Sequence, residues 1–191
     1  MPFRKRKTCR RYNTPGEAHS LTFSCFHGHQ FLSKDRTRTW LIDALAKARR
    51  ELHFDLWAYV IMPEHCHILL LPREGKYSIS QILAAIKLPV TRHAKHYLEL
   101  HAPKALRLMR DAQPNGKVSY RFWQRGGGHD RNMYTAKAIH AEIEYIHGNP
   151  VRRELVRLAE DWAWSSAAYH AGRRDVLLPI DAESIPPLYP K

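Results

Sequence analysis

The chain has 191 residues, with 31 Lys and Arg against 18 Asp and Glu, a net charge of +13. That length suits one domain of ~100–200 residues, and the cationic excess points to a polyanionic partner held by phosphate contacts and counterion release. No apolar run reaches the ~20 residues of a membrane span. The basic start has no apolar segment behind it and is not a secretory signal, and three scattered cysteines (Cys9, Cys25, Cys66) fit a reducing cytoplasm rather than a disulfide framework.

With no internal repeat and no Gly, Ser or Pro-rich linker, the chain is expected to form one domain over 1–191. Its parts are a basic arm at 1–19, a core at 20–155 and a tail at 156–191. In the arm, Arg4, Lys5, Arg6 and Lys7 either meet phosphates or are simply solvated. A strand is expected over 20–26, then a helix over 34–52 whose stripe of Trp40, Leu41, Ala44, Leu45 and Ala48 is core-facing. A second strand over 55–62 turns at Pro63-Glu64 into a third that begins at His65, giving a hairpin.

This third strand carries the main chemical signal. His65-Cys66-His67 precedes the apolar Ile68-Leu69-Leu70-Leu71, and side chains alternate along a strand, so both imidazoles share a face while Cys66 points the other way. Paired imidazoles on a packed strand suit a metal, although spacing alone does not separate ligands from rim histidines.

Ser78 caps the next helix, whose buried side is Ile82, Leu83, Ile86 and Val90, with Pro89 expected to kink or break it. Its polar side (Lys87, Arg92, His93, Lys95, His96) either lines a nucleic-acid groove or is solvated. Residues 102–119 read as a loop around the Pro114-Asn115-Gly116 turn, and a strand is expected over 120–124. Trp123 either stacks a base or packs in the core. Arg125 leads into Gly126-Gly127-Gly128, which allows close backbone approach to a phosphate or makes a plain turn; with no GK[ST] it is not a P-loop.

Thr135 caps a last helix with apolar positions Ala138, Ile139, Ile143 and Ile146, closed by Gly148 and Asn149-Pro150. Tyr145 and Asn149, four apart, share a side, and Glu142 lies close to it. A hydroxyl and an amide presented together serve as nucleophile and metal ligand, or as edge packing and a C-cap. Tyr134 is a rival hydroxyl, His129 and His147 contact nucleic acid or fill the rim, and Trp162 and Trp164 either stack bases or dock the tail. The order strand, helix, strand, strand, helix, strand, helix predicts a ferredoxin-like α+β sandwich.

Met62-Pro63-Glu64-His65-Cys66-His67 resembles the HUH motif of single-tyrosine transposases. Phe122-Trp123-Gln124-Arg125-Gly126, the run from Tyr145 to Arg152, and Trp162-Ala163-Trp164-Ser165-Ser166-Ala167 resemble the REP-associated tyrosine transposases, a likeness spanning about 21–169. The resemblance implies the HUH-endonuclease fold, a central antiparallel sheet with helices on one face, the HUH strand central and the Tyr145 helix across it. It also implies a metal-dependent single-stranded DNA endonuclease and strand transferase acting on hairpin DNA of repetitive extragenic palindromes. Tyr145 would form a 5′-phosphotyrosine, with Mg²⁺ or Mn²⁺ on His65, His67 and Asn149. DNA contacts would come from the basic arm, Lys87, Arg92, Lys95, Trp123, Arg125, Arg152 and Arg153. The protein would act in the cytoplasm as a monomer or homodimer. Competing classes are a non-cutting nucleic-acid binder of the same fold, a replication-initiator or relaxase-like nickase, and an RNA-binding sheet, which would need exposed aromatics on its central strands.

Overall fold

The computed structural model describes residues 12–188, so Arg4, Lys5, Arg6 and Lys7 of the expected arm lie outside the described residues. A central sheet is built from β1 (Ala18–Ser24), β2 (Phe54–Ile61), β3 (His65–Pro72) and a late strand at His129–Met133. Between them come α1 (Asp35–Glu51), α2 (Ile79–His101) and a hairpin of β4 (Arg110–Ala112) and β5 (Val118–Tyr120), so the late strand is β6. α3 (Ala136–Arg152) and the short α4 (Ala167–His170) follow. The sheet order is β2-β3-β1-β6 with every pair antiparallel. This is the expected ferredoxin-like α+β sandwich with the His65 strand inside the sheet.

Side-chain alternation assigns the two faces. Leu21 and Phe23 of β1 and Cys66, Ile68 and Leu70 of β3 pack with the apolar sides of α1 and α2. Val60 and Leu69 pack on the other face with Ile139, Ile143 and Ile146 of α3. Helices therefore cover both faces, not one as expected, because β2 and β3 are apolar on both sides and each side must be buried. A bulge between Leu56 and Ala58 turns the consecutive Trp57 and Ala58 to the α3 face.

Three expectations need correction. α2 continues through Pro89, with Ile86 and Val90 on either side fully buried, so packing carries the helix across the missing N–H. Residues 110–120 are a hairpin, not a loop, turning at Gly116 with φ of 78°. The fourth strand of the sheet is His129–Met133, while 120–124 contributes only the end of β5 and a single bridge from Trp123 to Cys25.

The 162–166 segment closes the open edge of β2. Ile61 N donates to the Trp164 carbonyl at 2.8 Å, Ser166 N donates to Tyr59 at 3.0 Å, and Ser165 bridges Val60. Asp181 adds a carboxylate bond to Leu56 N at 2.8 Å, and Leu178 and Ile180 enter the core. The tail thus protects an edge that would otherwise expose unpaired backbone. Among the described residues no helix is long and apolar enough to cross a membrane.

Candidate active site

β1 and β3 place His67 opposite Thr22 and His65 opposite Ser24, all on the α3 face. The two imidazoles lie 4.9 Å apart, centre to centre and nearly perpendicular. Each is held through Nδ1: His67 bonds Thr22 Oγ1 at 2.8 Å, and His65 bonds Glu64 Oε1 at 3.1 Å. A carboxylate only accepts, so His65 must donate from Nδ1, and its lone pair then lies on Nε2. Arg153 also donates to Glu64 Oε1, at 2.9 Å, which pins the orienting carboxylate.

Burial is the main reason that both imidazoles are hard to protonate. His67 is pushed down to about 4 by burial, then by the neighbouring His65 and by Arg152. His65 is lowered by burial, with Arg153 adding and Glu64 opposing. Both are neutral near pH 7, the form that ligates a metal.

Tyr145 reaches this pair from α3. Its ring centre is 5.5 Å from that of His67, and the residue is 48% exposed. The Tyr145 hydroxyl has no hydrogen-bond partner among the described residues. The Arg152 guanidinium sits 4.5 Å above the ring and donates to the Tyr145 carbonyl at 2.6 Å. Asn149 Nδ2 donates to the carbonyls of Tyr145 (2.9 Å) and Ile146 (3.3 Å).

The Asn149 amide therefore does more than cap. Pro150 has no N–H to give the Ile146 carbonyl, and the Asn149 side chain supplies one instead. α3 consequently runs on to Arg152 rather than closing at Gly148, as the sequence suggested. Both Nδ2 bonds leave the amide oxygen as the group still able to ligate.

The other sequence candidates sort as follows. Tyr134 is 73% exposed and precedes α3, whose first residue Ala136 already lies ~13 Å along the axis from Tyr145 at 1.5 Å per residue. Glu142 is buried and saturated, accepting from Ser20 Oγ and Arg131, both at 2.7 Å. His147 bonds Ser166 Oγ at 2.8 Å and belongs to the tail contact. Trp123 is 5% exposed, packs edge-on to Phe23 and donates its indole N–H to the Lys87 carbonyl, so it is core and stacks no base. Arg125 binds Asp111 with two nitrogens, and with Arg121 holds that carboxyl down at about 2. Lys87 donates to the Gly126 carbonyl. Arg92 and Lys95 stay exposed, Lys95 pairing with Glu99 at 3.4 Å. Arg152 and Arg153, by contrast, stand at the site itself.

Two further contributors were not foreseen. Thr22 and Glu64 orient the imidazoles, and neither carries a sequence signal: Thr22 is identified only by strand register. Gly128 joins them indirectly. At φ of 75°, a Cβ there would lie 2.0 Å from the Thr22 carbonyl oxygen. Gly128 thus serves close approach to β1, while nothing lies within 4 Å of the Gly126 Cβ position.

Two imidazoles and an amide oxygen make a donor set suited to a divalent cation. Glu64 Oε2, buried without a partner, adds an unused acceptor beside it. Among the described residues no group of three or more His, Cys, Asp or Glu able to hold a metal occurs.

No protein-family model matches the chain. It is 28% identical over 138 residues to a REP-associated tyrosine transposase of Escherichia coli, covering 72% of this chain and 68% of that protein. A putative REP-associated tyrosine transposase of Haemophilus influenzae is 26% identical over 159 residues, covering 78% and 81%. Among solved structures, a REP-associated tyrosine transposase bound to a REP hairpin superposes with a TM-score of 0.67 at 22% identity, over 93% of each chain. The chain thus resembles REP-associated tyrosine transposases in sequence, and shares the fold of one.

Proposed function

We propose that this protein is a tyrosine transposase of the REP-associated kind, a single-stranded DNA endonuclease and strand transferase acting on hairpin DNA. The observation that supports it best is the meeting of Tyr145, from α3, with His65 and His67, from β3, across the sheet. The relatives named above are tyrosine transposases, and the fold neighbour is bound to a REP hairpin. The net charge of +13 suits a nucleic-acid substrate. On this reading the protein works in the cytoplasm on DNA, as a monomer or homodimer.

The chemistry follows from what the residues present. The Tyr145 oxygen bonds to the scissile phosphorus and the bond to the 3′ oxygen breaks. The departing oxygen takes up a proton and leaves as a 3′-hydroxyl, while the phenol proton passes to solvent. The product is a 5′-phosphotyrosine, and attack by a 3′-hydroxyl on it rejoins a strand. Arg152 holds the nucleophilic ring and sets a positive charge beside the incoming phosphate. His65, His67 and the Asn149 oxygen would hold Mg²⁺ or Mn²⁺, which when bound neutralises charge on the phosphate. Thr22 and Glu64 keep the two imidazoles turned with Nε2 outward.

A binding-only module would have no use for an unpartnered tyrosine hydroxyl beside oriented imidazoles, and an RNA-recognition sheet would present aromatics where His65 and His67 stand. The test is incubation with labelled single-stranded hairpins in Mg²⁺ or Mn²⁺ and in EDTA, for wild type, His65→Ala and His67→Ala. The reading expects a covalent protein–DNA adduct that needs metal and both imidazoles. Tight binding without an adduct in either metal contradicts it.

A further inference from the structure

On the opposite face from the imidazoles, a cavity of about 320 Å³ opens between the start of α1, the end of α2 and the 103–109 turn. Phe31, Trp40, Tyr97 and Leu108 line it, Lys34 and Arg36 stand among the lining residues, and none of the lining residues is acidic. The Trp40 and Tyr97 rings are 6.2 Å apart, and the Arg36 guanidinium lies 3.6 Å over the Tyr97 ring. The Tyr97 ring thus carries the Arg36 guanidinium on one face, and His101 lies 4.6 Å from it at an interplanar angle of 36°. Aromatic faces bordered by cations are the chemistry that holds an unstacked base and its phosphate.

Residues 25–31 form a lip that runs from the end of β1, opposite His65, to Phe31 in the cavity wall. β1 ends at Ser24, opposite His65, and Cys25 N donates to the Glu64 carbonyl at 2.7 Å. From there, rings follow one another: Phe26 and His27 at 4.0 Å, His29 and Phe31 at 5.2 Å, then Phe31 and Phe122 at 5.2 Å, Phe122 being a cavity wall. His27 is exposed and held at φ of 52°, an uncommon conformation for a residue with a side chain. Leu32 N bonds the Pro63 carbonyl, which ties the lip to the turn before His65.

We infer that this cavity binds one unpaired base of single-stranded DNA that runs from the Tyr145 site over the 25–31 lip. The inference rests on the DNA-processing reading and adds to it a base pocket on the other face of the sheet. A nucleotide uses the apolar wall through its base and Lys34 and Arg36 through its phosphate.

The test uses the full chain in EDTA with a hairpin carrying a single-stranded flank, 2-aminopurine being placed at each flank position in turn. One position should change fluorescence on binding, and Tyr97→Leu should abolish that change. Affinity for the flanked hairpin should fall roughly 5- to 150-fold in Tyr97→Leu, the span for losing one stacking partner, and also fall in Arg36→Ala. Affinity for the same hairpin without its flank should not move. Equal losses with and without the flank, no position-specific signal, or a change of oligomeric state in Tyr97→Leu would overturn the inference. A metal-dependent adduct without the flank effect sinks the pocket and leaves the cleavage reading standing. The flank effect without any adduct does the reverse.

Discussion

Replacing Gly128 by alanine tests whether the glycine loop is what positions β1 at the site. The backbone there has φ of 75°, and an added Cβ would stand 2.0 Å from the Thr22 carbonyl oxygen and 3.0 Å from the Phe23 Cβ. A left-handed conformation costs a residue with a side chain ~1–2 kcal/mol, and the clash with a β1 carbonyl adds to it because that strand is packed on both faces. Gly126 is the internal control: its φ is 89°, but nothing lies within 4 Å of its Cβ position. Gly126→Ala should therefore show the conformational cost alone, and Gly128→Ala that cost plus the clash, in total about 3 kcal/mol or more. At ~2–4 °C per kcal/mol for a chain of this size, thermal unfolding followed by circular dichroism should drop by roughly 6–12 °C for Gly128→Ala and by a few degrees for Gly126→Ala. Gly128→Ala should also lose adduct formation more than stability, because the displaced Thr22 holds His67. Equal melting temperatures for the two variants would refute the close-approach argument.

Asn149→Ala removes two hydrogen bonds to the end of α3, at ~0.5–1.5 kcal/mol each. Denaturant unfolding should show a loss of about 2 kcal/mol, with adduct yield falling further than stability explains; unchanged adduct would remove Asn149 from the ligand set. Acidification gives a separate check. His67 and His147 titrate in the folded protein at about 4 and about 3, below the ~6.5 of an unfolded histidine. The unfolded state then binds more protons between these values, so stability is full above about pH 6.5 and falls as pH drops toward 4. Chemical denaturation at pH 7, 5.5 and 4.5 should show this decline, and a flat profile would contradict the burial argument. Burial holds both His65 and His67 below the ordinary imidazole range, so metal-dependent adduct formation should fall only at a lower pH than protonation of a free imidazole would set; a loss that tracks the ordinary imidazole range would show one of the two titrating as a solvated group.

The site was legible in the sequence where chemistry is written in neighbouring residues. Alternation along β3 put His65 and His67 on one face, and the four-residue step joined Tyr145 to Asn149. β2 and β3 were readable because both are apolar on both sides. β6 was not, because His129, Asp130, Arg131 and Asn132 are all polar. Three of them have polar partners in other elements, Asp130 in His19 of β1, Arg131 in Glu142 of α3 and Asn132 in Glu17 just before β1, so the strand has no apolar alternation to read. The two prolines misled in the same way: Pro89 and Pro150 remove a donor, but burial around one and the Asn149 amide beside the other keep the helix whole. Thr22 and Glu64 were invisible for a different reason, since each gains its role only from register or from a turn that folds back on its neighbour. Trp123 and Arg125 looked like DNA contacts because aromatic and cationic residues suit that role, yet packing against Phe23 and pairing with Asp111 use them internally.

The most direct test of the account is the identity of the nucleophile. Wild type, Tyr145→Phe and Tyr134→Phe would each be incubated with a labelled hairpin carrying single-stranded flanks in Mg²⁺ or Mn²⁺, and any adduct digested for mass spectrometry. The account predicts an adduct in wild type and Tyr134→Phe, mapped to Tyr145 through a 5′-phosphate, and none in Tyr145→Phe. An adduct that survives Tyr145→Phe, or one mapped to Tyr134, would contradict it.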